Sequence, residues 1–503
     1  MKKTYRQILR NRKRRIQRRL DPKKAWCAQP EPIMTARNIR YEMAERSRGI
    51  NCGGIGAIHM MVNKIGLPEE IDRRLQLLKV HLPYHESDHV LNLAYNALLD
   101  GERLQDIELR RNDEAFLDAL GTQRIPDPTT SGDFTRRFGE GDIVELMEAI
   151  NSTRQRVWKK QSRDFLEEAF IDTDGTIAPT RGECKGGMSL SSKGVWGYAP
   201  LTVSLANTNE VLYLVNRPGN VVSHDGCVEW IDRAIKVVAP HAGRITLRGD
   251  TDFTLSAELD RWDEAGIGFI FGMDAHKKVV GLAEELPEKA WKELARLPRY
   301  EIATQPRRKH ERVKEEVVRF KGYQNMKLVG ESVAEIQYQP VKCKQPYRLI
   351  VVRKNISVQK GEQVLFDEIR YFFYISNRED YTTEQIVSLA NGRCNQENVI
   401  EQLKNGVNAM RMPVNDLLSN WAYMVMTALA WNLKAWFGLL LPNRQRGAEI
   451  VRMEFRRFLH SLVLVPALIV RGGRRITFRI IAYNDWLRDL FAAWERLRCL
   501  RVT

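Results

Sequence analysis

The chain has 503 residues, enough for about two to four domains, and with 43% hydrophobic and 28% charged residues it is composed like a globular protein, not a disordered or fibrous one. Its 79 Lys and Arg against 63 Asp and Glu leave a net charge of +16, which makes a polyanion the first partner to consider. The seven cysteines are scattered without C-x-x-C spacing, which argues against a disulfide framework or structural zinc and fits a reducing cytoplasm, and the N-terminus lacks the apolar run of a signal peptide.

Ten basic residues between Lys2 and Arg19 precede the first acid, Asp21. Arg12, Arg14 and Arg15 lie in the middle of this arm, which suits contacts to phosphates; a solvated tail is the plainer alternative. From about 36 to 160 the apolar residues recur with helical periodicity in Ile55–Ile65, Val90–Leu99, Phe116–Leu120 and Ile143–Ile150. Thr130 and Asp133 have capping-box spacing and open a helix followed by Arg136 and Arg137, a basic face for a DNA groove or simply a surface. His85-Glu86-Ser87-Asp88-His89 has the H-E-x-x-H form of zinc metalloproteases, whose chemistry needs both histidines on one helical face. Pro83, and Ser87 or Asp88 as the cap of the helix Val90–Leu99, put His85 outside that helix and argue against the zinc reading. Cys52-Gly53-Gly54-Ile55-Gly56 lacks the third glycine and the preceding strand of a dinucleotide site.

Beyond Phe165 the pattern changes to strands and helices. Phe170 and Ile171 lead into Asp172 and Asp174, two carboxylates on one face of a strand that ends at Gly175-Thr176. Strands Tyr198–Ala206 and Val211–Asn216 form a hairpin, helix Val228–Val238 follows, and Arg244–Asp250 reads as a strand ending in an acid. A helix near Ser256–Ala265 and a strand Ile267–Gly272 complete the order strand, strand, strand, helix, strand, helix, strand. That is the order of a ribonuclease H-like α/β fold, with acids at the ends of the first and fourth strands. Asp172 or Asp174 supplies the first acid and Asp250 or Asp252 the second.

A further 146 residues separate Asp250 from Glu397. They contain a helix around Trp291–Leu294, a mixed-charge run Arg307–Arg312, and β-like stretches Ala334–Tyr338, Tyr347–Val352 and Ile369–Ile375. Trp291 suits either the core or stacking on an unpaired base. Between Asn391 and Met410, Val399, Ile400, Leu403, Val407 and Met410 form one apolar helical stripe. Arg393, Glu397 and Lys404 project within roughly 40° of one another beside it, holding a carboxylate between two cations. The ordinary alternative is a solvated face laced by Arg393–Glu397 and Glu401–Lys404 pairs. Leu417–Leu441 is apolar over nearly a membrane thickness, but it contains Asn420, Asn432 and Lys434 and has no companion segment, so it reads as a buried core helix. The last sixty residues read as a helix, a hairpin through Arg471–Arg474 and a final helix with Trp486, Leu487 and Leu490.

The order Asp, Asp, then R-x3-E-x6-K resembles bacterial insertion-sequence DDE transposases of the cut-and-paste group, whose helix reads Y-x2-R-x3-E-x6-K; Ala390 stands where that family has Tyr. The resemblance implies metal-dependent cleavage of transposon ends and strand transfer into target DNA. Asp174, Asp250 and Glu397 would be the catalytic metal ligands for two Mg²⁺ ions, with Mn²⁺ able to substitute. Asp174-Gly175-Thr176 fits the family's first acid, which favours Asp174. Arg393 and Lys404 would grip phosphates. The implied partners are double-stranded DNA, as terminal inverted repeats and target, and a second copy of the chain, in a nucleoid-associated cytoplasmic setting without a membrane. The implied layout is a basic arm 1–35, a helical DNA-binding and dimerisation region 36–160, a catalytic domain in two parts, 161–280 and 374–441, split by a β-rich insertion 281–373, and a C-terminal region 442–503. A catalytically inactive DNA-binding descendant is the rival from another class.

Overall fold

The computed structural model of the chain describes residues 3–19, 40–42, 45, 48–180, 182, 184–294, 324–360, 363–473 and 475–500. The basic arm begins as a helix, α1 (Lys3–Arg19), not as a free tail. Its apolar residues dock it: Leu9 is buried and the ring of Tyr5 stacks on Phe491 at 5.1 Å. Residues 20–35 of the arm, and the run Arg307–Arg312, lie outside the described residues.

Helices α2 (Ile55–Lys64), α3 (Leu67–Arg74), α4 (Glu86–Leu98), α5 (Pro128–Thr135) and α6 (Glu140–Trp158) build the N-terminal region. The cap of α5 is Asp127, whose Oδ1 accepts from Thr130 N at 2.9 Å; the expected Thr130–Asp133 box does not form, because Pro128 at the first helical position starts the helix earlier.

Strands β1 (Glu168–Gly175), β2 (Leu201–Leu205) and β3 (Glu210–Val215) are followed by α7 (Cys227–Val238), β4 (Arg244–Gly249), α8 (Leu259–Glu264) and β5 (Gly268–Met273), the order expected from the sequence. β1, β4 and β5 run parallel, while β2 pairs antiparallel with β1 and β3 with β2. Every residue of β2 and β3 is buried, as expected of strands covered on both faces. The register sets Asp174 opposite Thr202 and Asp172 beside Arg248.

The insertion does not stand apart from this sheet. Its strands β6 (Gln324–Tyr338), β7 (Tyr347–Lys360) and β8 (Gln363–Ser376) continue it, β8 pairing with β5 through Phe373–Ser376, so that nine strands form one mixed sheet. These strands run two to three times longer than the apolar stretches that announce them. Their distal halves pair only with one another. The helix expected at Trp291–Leu294 is absent: Lys292 and Glu293 are extended and pair with Val333 and Ser332, and Trp291 packs beside Tyr371 with the Arg353 guanidinium 4.3 Å from its ring.

Helix α9 (Thr383–Gly392) meets α10 (Cys394–Glu401) at Arg393, and Gln402–Gly406 forms a π-helical turn in which Val407 N bonds Gln402 O at 2.9 Å. The single helix expected over this stretch is therefore segmented. Helix α11 (Leu417–Leu439) is buried from Ser419 to Gly438 and packs on α4, α6, β3 and α12 (Arg444–Arg452). Its polar residues are satisfied within the protein: Asn432 brackets Val211 with two bonds, and Lys434 Nζ donates to Val451 O at 2.9 Å and Met453 O at 2.6 Å. No helix among the described residues is long and apolar enough to cross a membrane. Strand β9 (Ala467–Gly472) pairs with β10 (Arg475–Ile480) and with Gly49–Ile50, and α13 (Leu487–Cys499) closes the chain. One hydrophobic core therefore runs through the N-terminal helices, the sheet and the C-terminal region.

Candidate active site

Asp174 lies at the end of β1, and Asp250 follows β4 on the neighbouring parallel strand. The chain turns sharply there because the Asp250 side chain accepts from Asp252 N at 3.1 Å and the fully buried Phe253 anchors the turn. Glu397 enters from α10. That helix is held to the sheet by Gln396, which is buried and donates to Thr202 O at 3.0 Å, and by Val399, Ile400 and Leu403.

A single guanidinium stands among the three acids. Arg393 Nη1 is 3.1 Å from Asp174 Oδ2 and 3.9 Å from Asp250 Oδ2, and Nη2 is 3.7 Å from Glu397 Oε1. The three carboxylates sit around this cation without all lying within 4.8 Å of one another. Burial, then the neighbouring Asp250 and Glu397, push Asp174 up to about 6 against the pull of Arg393. Asp250 is also raised, first by burial and then by Asp252 and Asp274. Burial is the larger cause at both carboxyls, and the neighbouring acids add to it against the pull of Arg393.

This donor set fits divalent metal. All the ligand atoms are hard carboxylate oxygens, the donors that hard divalent cations take.

Asp172, the alternative first acid, is spent elsewhere. It is buried and accepts Arg248 Nε and Nη2 at 2.7 and 2.8 Å, while Arg248 Nη1 donates to Leu389 O at 2.9 Å. This pair ties β1 and β4 to the end of α9 and so sets where Arg393 emerges. Gly392 belongs to the same arrangement, since a Cβ there would lie 2.7 Å from Arg248 Nη1. Asp252, the alternative second acid, is exposed in the turn. The sequence hints at the Asp172–Arg248 pair only weakly, through an arginine two residues before the strand-end acid and a strand that carries a second aspartate.

Lys404 does not pair with Glu401, whose carboxylate accepts from Asn405 Nδ2 at 2.6 Å; its Nζ donates to Thr176 Oγ1 at 2.6 Å, beside the first acid. Burial lowers its pKa while Glu401 and Asp174 oppose the shift. Arg136 is exposed and paired with Asp133, and Arg137 is exposed. Arg12 is half-buried, donating to Ile480 O at 2.8 Å and Ala482 O at 3.1 Å, whereas Arg14 and Arg15 are exposed.

The H-E-x-x-H stretch does not form the metalloprotease arrangement. His85 is itself the cap of α4, its amide donating to Asp88 Oδ2 at 2.9 Å, so the expected cap at Ser87 or Asp88 shifts to it. His89 is buried, stacks on Phe134 at 4.2 Å, and is lowered to about 4 by burial.

Two acids at the ends of neighbouring parallel strands and a glutamate from a following helix are the arrangement of a DDE domain. Residues 49–502 match the family described as Transposase DDE domain group 1, and the chain belongs to that family of DNA transposases. DDE transposase domains generally use divalent metal ions. Among solved structures the chain is similar to a piggyBac transposase synaptic complex with hairpin DNA, at 11% identity and a TM-score of 0.35 over 82% of each chain. No curated protein matches it.

Proposed function

We propose that this chain is a cut-and-paste transposase of insertion-sequence type that cleaves the ends of its own element and joins them to target DNA, with Asp174, Asp250 and Glu397 as its Mg²⁺ ligands. The reading is carried by one observation: acids from three distant parts of the chain gather around one guanidinium, at 3.1, 3.9 and 3.7 Å. The strand order β3-β2-β1-β4-β5, with the acids at the ends of β1 and β4, supports a ribonuclease H-like core.

Two divalent cations held there would activate the attacking water or 3′-hydroxyl and stabilise the leaving oxygen of an in-line displacement. The protein's own part is positioning. The Asp172–Arg248 pair and the Gln396 bond hold β1, β4 and α10 in fixed relation, so the three carboxylates require little reorganisation when DNA arrives. Arg393 compensates the acids in the free chain and turns to a scissile-strand phosphate once they are otherwise neutralised. Lys404, on Thr176, supplies a second phosphate contact. Arg14, Arg15, Arg136 and Arg137 are exposed and add contacts to the duplex, Arg12 anchors the helix that carries the first two, and two copies pair two element ends.

The test is cleavage of a duplex carrying the element's terminal inverted repeats by purified full-length protein in Mg²⁺ or Mn²⁺. Asp250→Ala and Glu397→Ala are expected to abolish cleavage while duplex binding persists. Cleavage that survives either change removes that residue from the chemistry. Binding without cleavage by the unaltered chain would instead support an inactive DNA-binding descendant.

A further inference from the structure

A second cluster of ligating side chains lies in the N-terminal region, in the loop between α3 and the start of α4. Among the described residues, His81, His85 and Glu86 form a group whose ligand atoms all lie within 4.8 Å of one another. His81 Nε2 is 3.0 Å from Glu86 Oε2, and the rings of His81 and His85 stack at 4.2 Å. Glu86 is 1% exposed, so its charge is out of water, and among the described residues no lysine or arginine pairs with it. Its Oε1 accepts from Leu77 N at 3.0 Å and Leu78 N at 2.9 Å, which fixes the carboxylate and leaves Oε2 facing the two imidazoles.

We propose that His81, His85 and Glu86 bind a Zn²⁺-class cation that fastens this loop to the first turn of α4. The donor set suits that class: two imidazoles and one carboxylate, with a fourth position left for water. With metal bonds of roughly 2.0–2.1 Å, ligand atoms 3.0 Å apart subtend roughly 95° at the ion, close to what four- to six-coordinate sites take. The exposed His85 ring turns to bring its nitrogen in as third ligand. The cation also takes over from His81 as the partner of Glu86 Oε2, leaving Oε1 on its two backbone donors. This site uses the first half of the H-E-x-x-H stretch with a histidine upstream of it, and none of its three ligands is one of the cleft acids.

Co²⁺ titration of the metal-stripped full-length chain tests the site, using Asp250→Ala protein so that the acidic cleft is disabled. One Co²⁺ per chain with visible d–d absorption, displaced by equimolar Zn²⁺, is expected. His81→Ala and His85→Ala should each weaken binding by at least about tenfold, and His224→Ala, at an exposed histidine outside the cluster, should leave it unchanged. Absence of the band, or a band that persists in the His81→Ala/His85→Ala double variant, overturns the proposal. A second measurement needs no variant: Zn²⁺ should shield His81 and His85 from diethylpyrocarbonate in the unaltered chain, and equal modification with and without Zn²⁺ counts against the site.

Discussion

Two carboxylate–arginine clusters in this molecule use the same chemical groups to opposite ends. In the core, Glu210 is wholly buried with Arg154: Oε1 accepts from Arg154 Nε at 3.0 Å and Trp436 Nε1 at 2.7 Å, and Oε2 from Trp158 Nε1 at 2.9 Å. One acid faces one base, three donors satisfy the carboxylate, and the cluster joins α6, β3 and α11. In the cleft, three acids share Arg393 at longer range, two of them have raised pKa values, and Glu397 is 63% exposed. A satisfied pair holds a fold together; an unsatisfied set is held open by the fold around it and is ready for a cation.

The comparison can be broken at either cluster. The largest effect is expected in the cleft, where Glu397→Ala should lower DNA cleavage by at least about 10³-fold, the scale of losing several kcal/mol of metal-held charge stabilisation, with the unfolding midpoint unchanged. Glu210→Gln should do the reverse: it leaves the Arg154 charge buried without a partner and should cost about 3–5 kcal/mol in denaturant unfolding. Asp174→Asn should stabilise the metal-free chain by about 1 kcal/mol, because it removes a carboxylate that the fold disfavours. The sign follows from its pKa, raised from 3.8 to about 6. The folded state takes up this proton more readily than the unfolded one, so the metal-free chain gains stability from this group as pH falls through about 6, and Asp174→Asn should lose that slope. For the same reason metal affinity should drop below about pH 6. The smallest effect is Lys404→Ala, which should weaken duplex binding uniformly across sequences and reduce the salt slope by about one; an unchanged slope would remove Lys404 from the phosphate contacts.

The core strands, and the proposed acids at their ends and on the following helix, each have a local signature in the sequence. β1 and β4 carry apolar residues just before an acid and a turn, β5 is a short apolar run, and the spacing Arg393, Glu397, Lys404 sits on a helix with its own apolar stripe. What joins distant segments was not legible. That Arg393 faces the acids depends on the break between α9 and α10 and on the buried Arg248 beneath it, neither of which has a period. The docking of α1 on the C-terminal region rests on Tyr5, Leu9 and Arg12, three residues in a stretch otherwise dominated by charge. The continuation of the sheet through β6–β8 is a matter of edge pairing, which the sequence of a polar strand hardly records.

Whether the acids of the cleft share metal can be measured directly by loading the chain with Fe²⁺ and generating hydroxyl radicals with ascorbate and peroxide, then mapping backbone scission by mass spectrometry. Cuts near Asp174, Asp250 and Glu397 together, all suppressed by excess Mg²⁺, are the expected result. Scission at only one of the three, or cuts there that Mg²⁺ does not suppress, would contradict a common metal site.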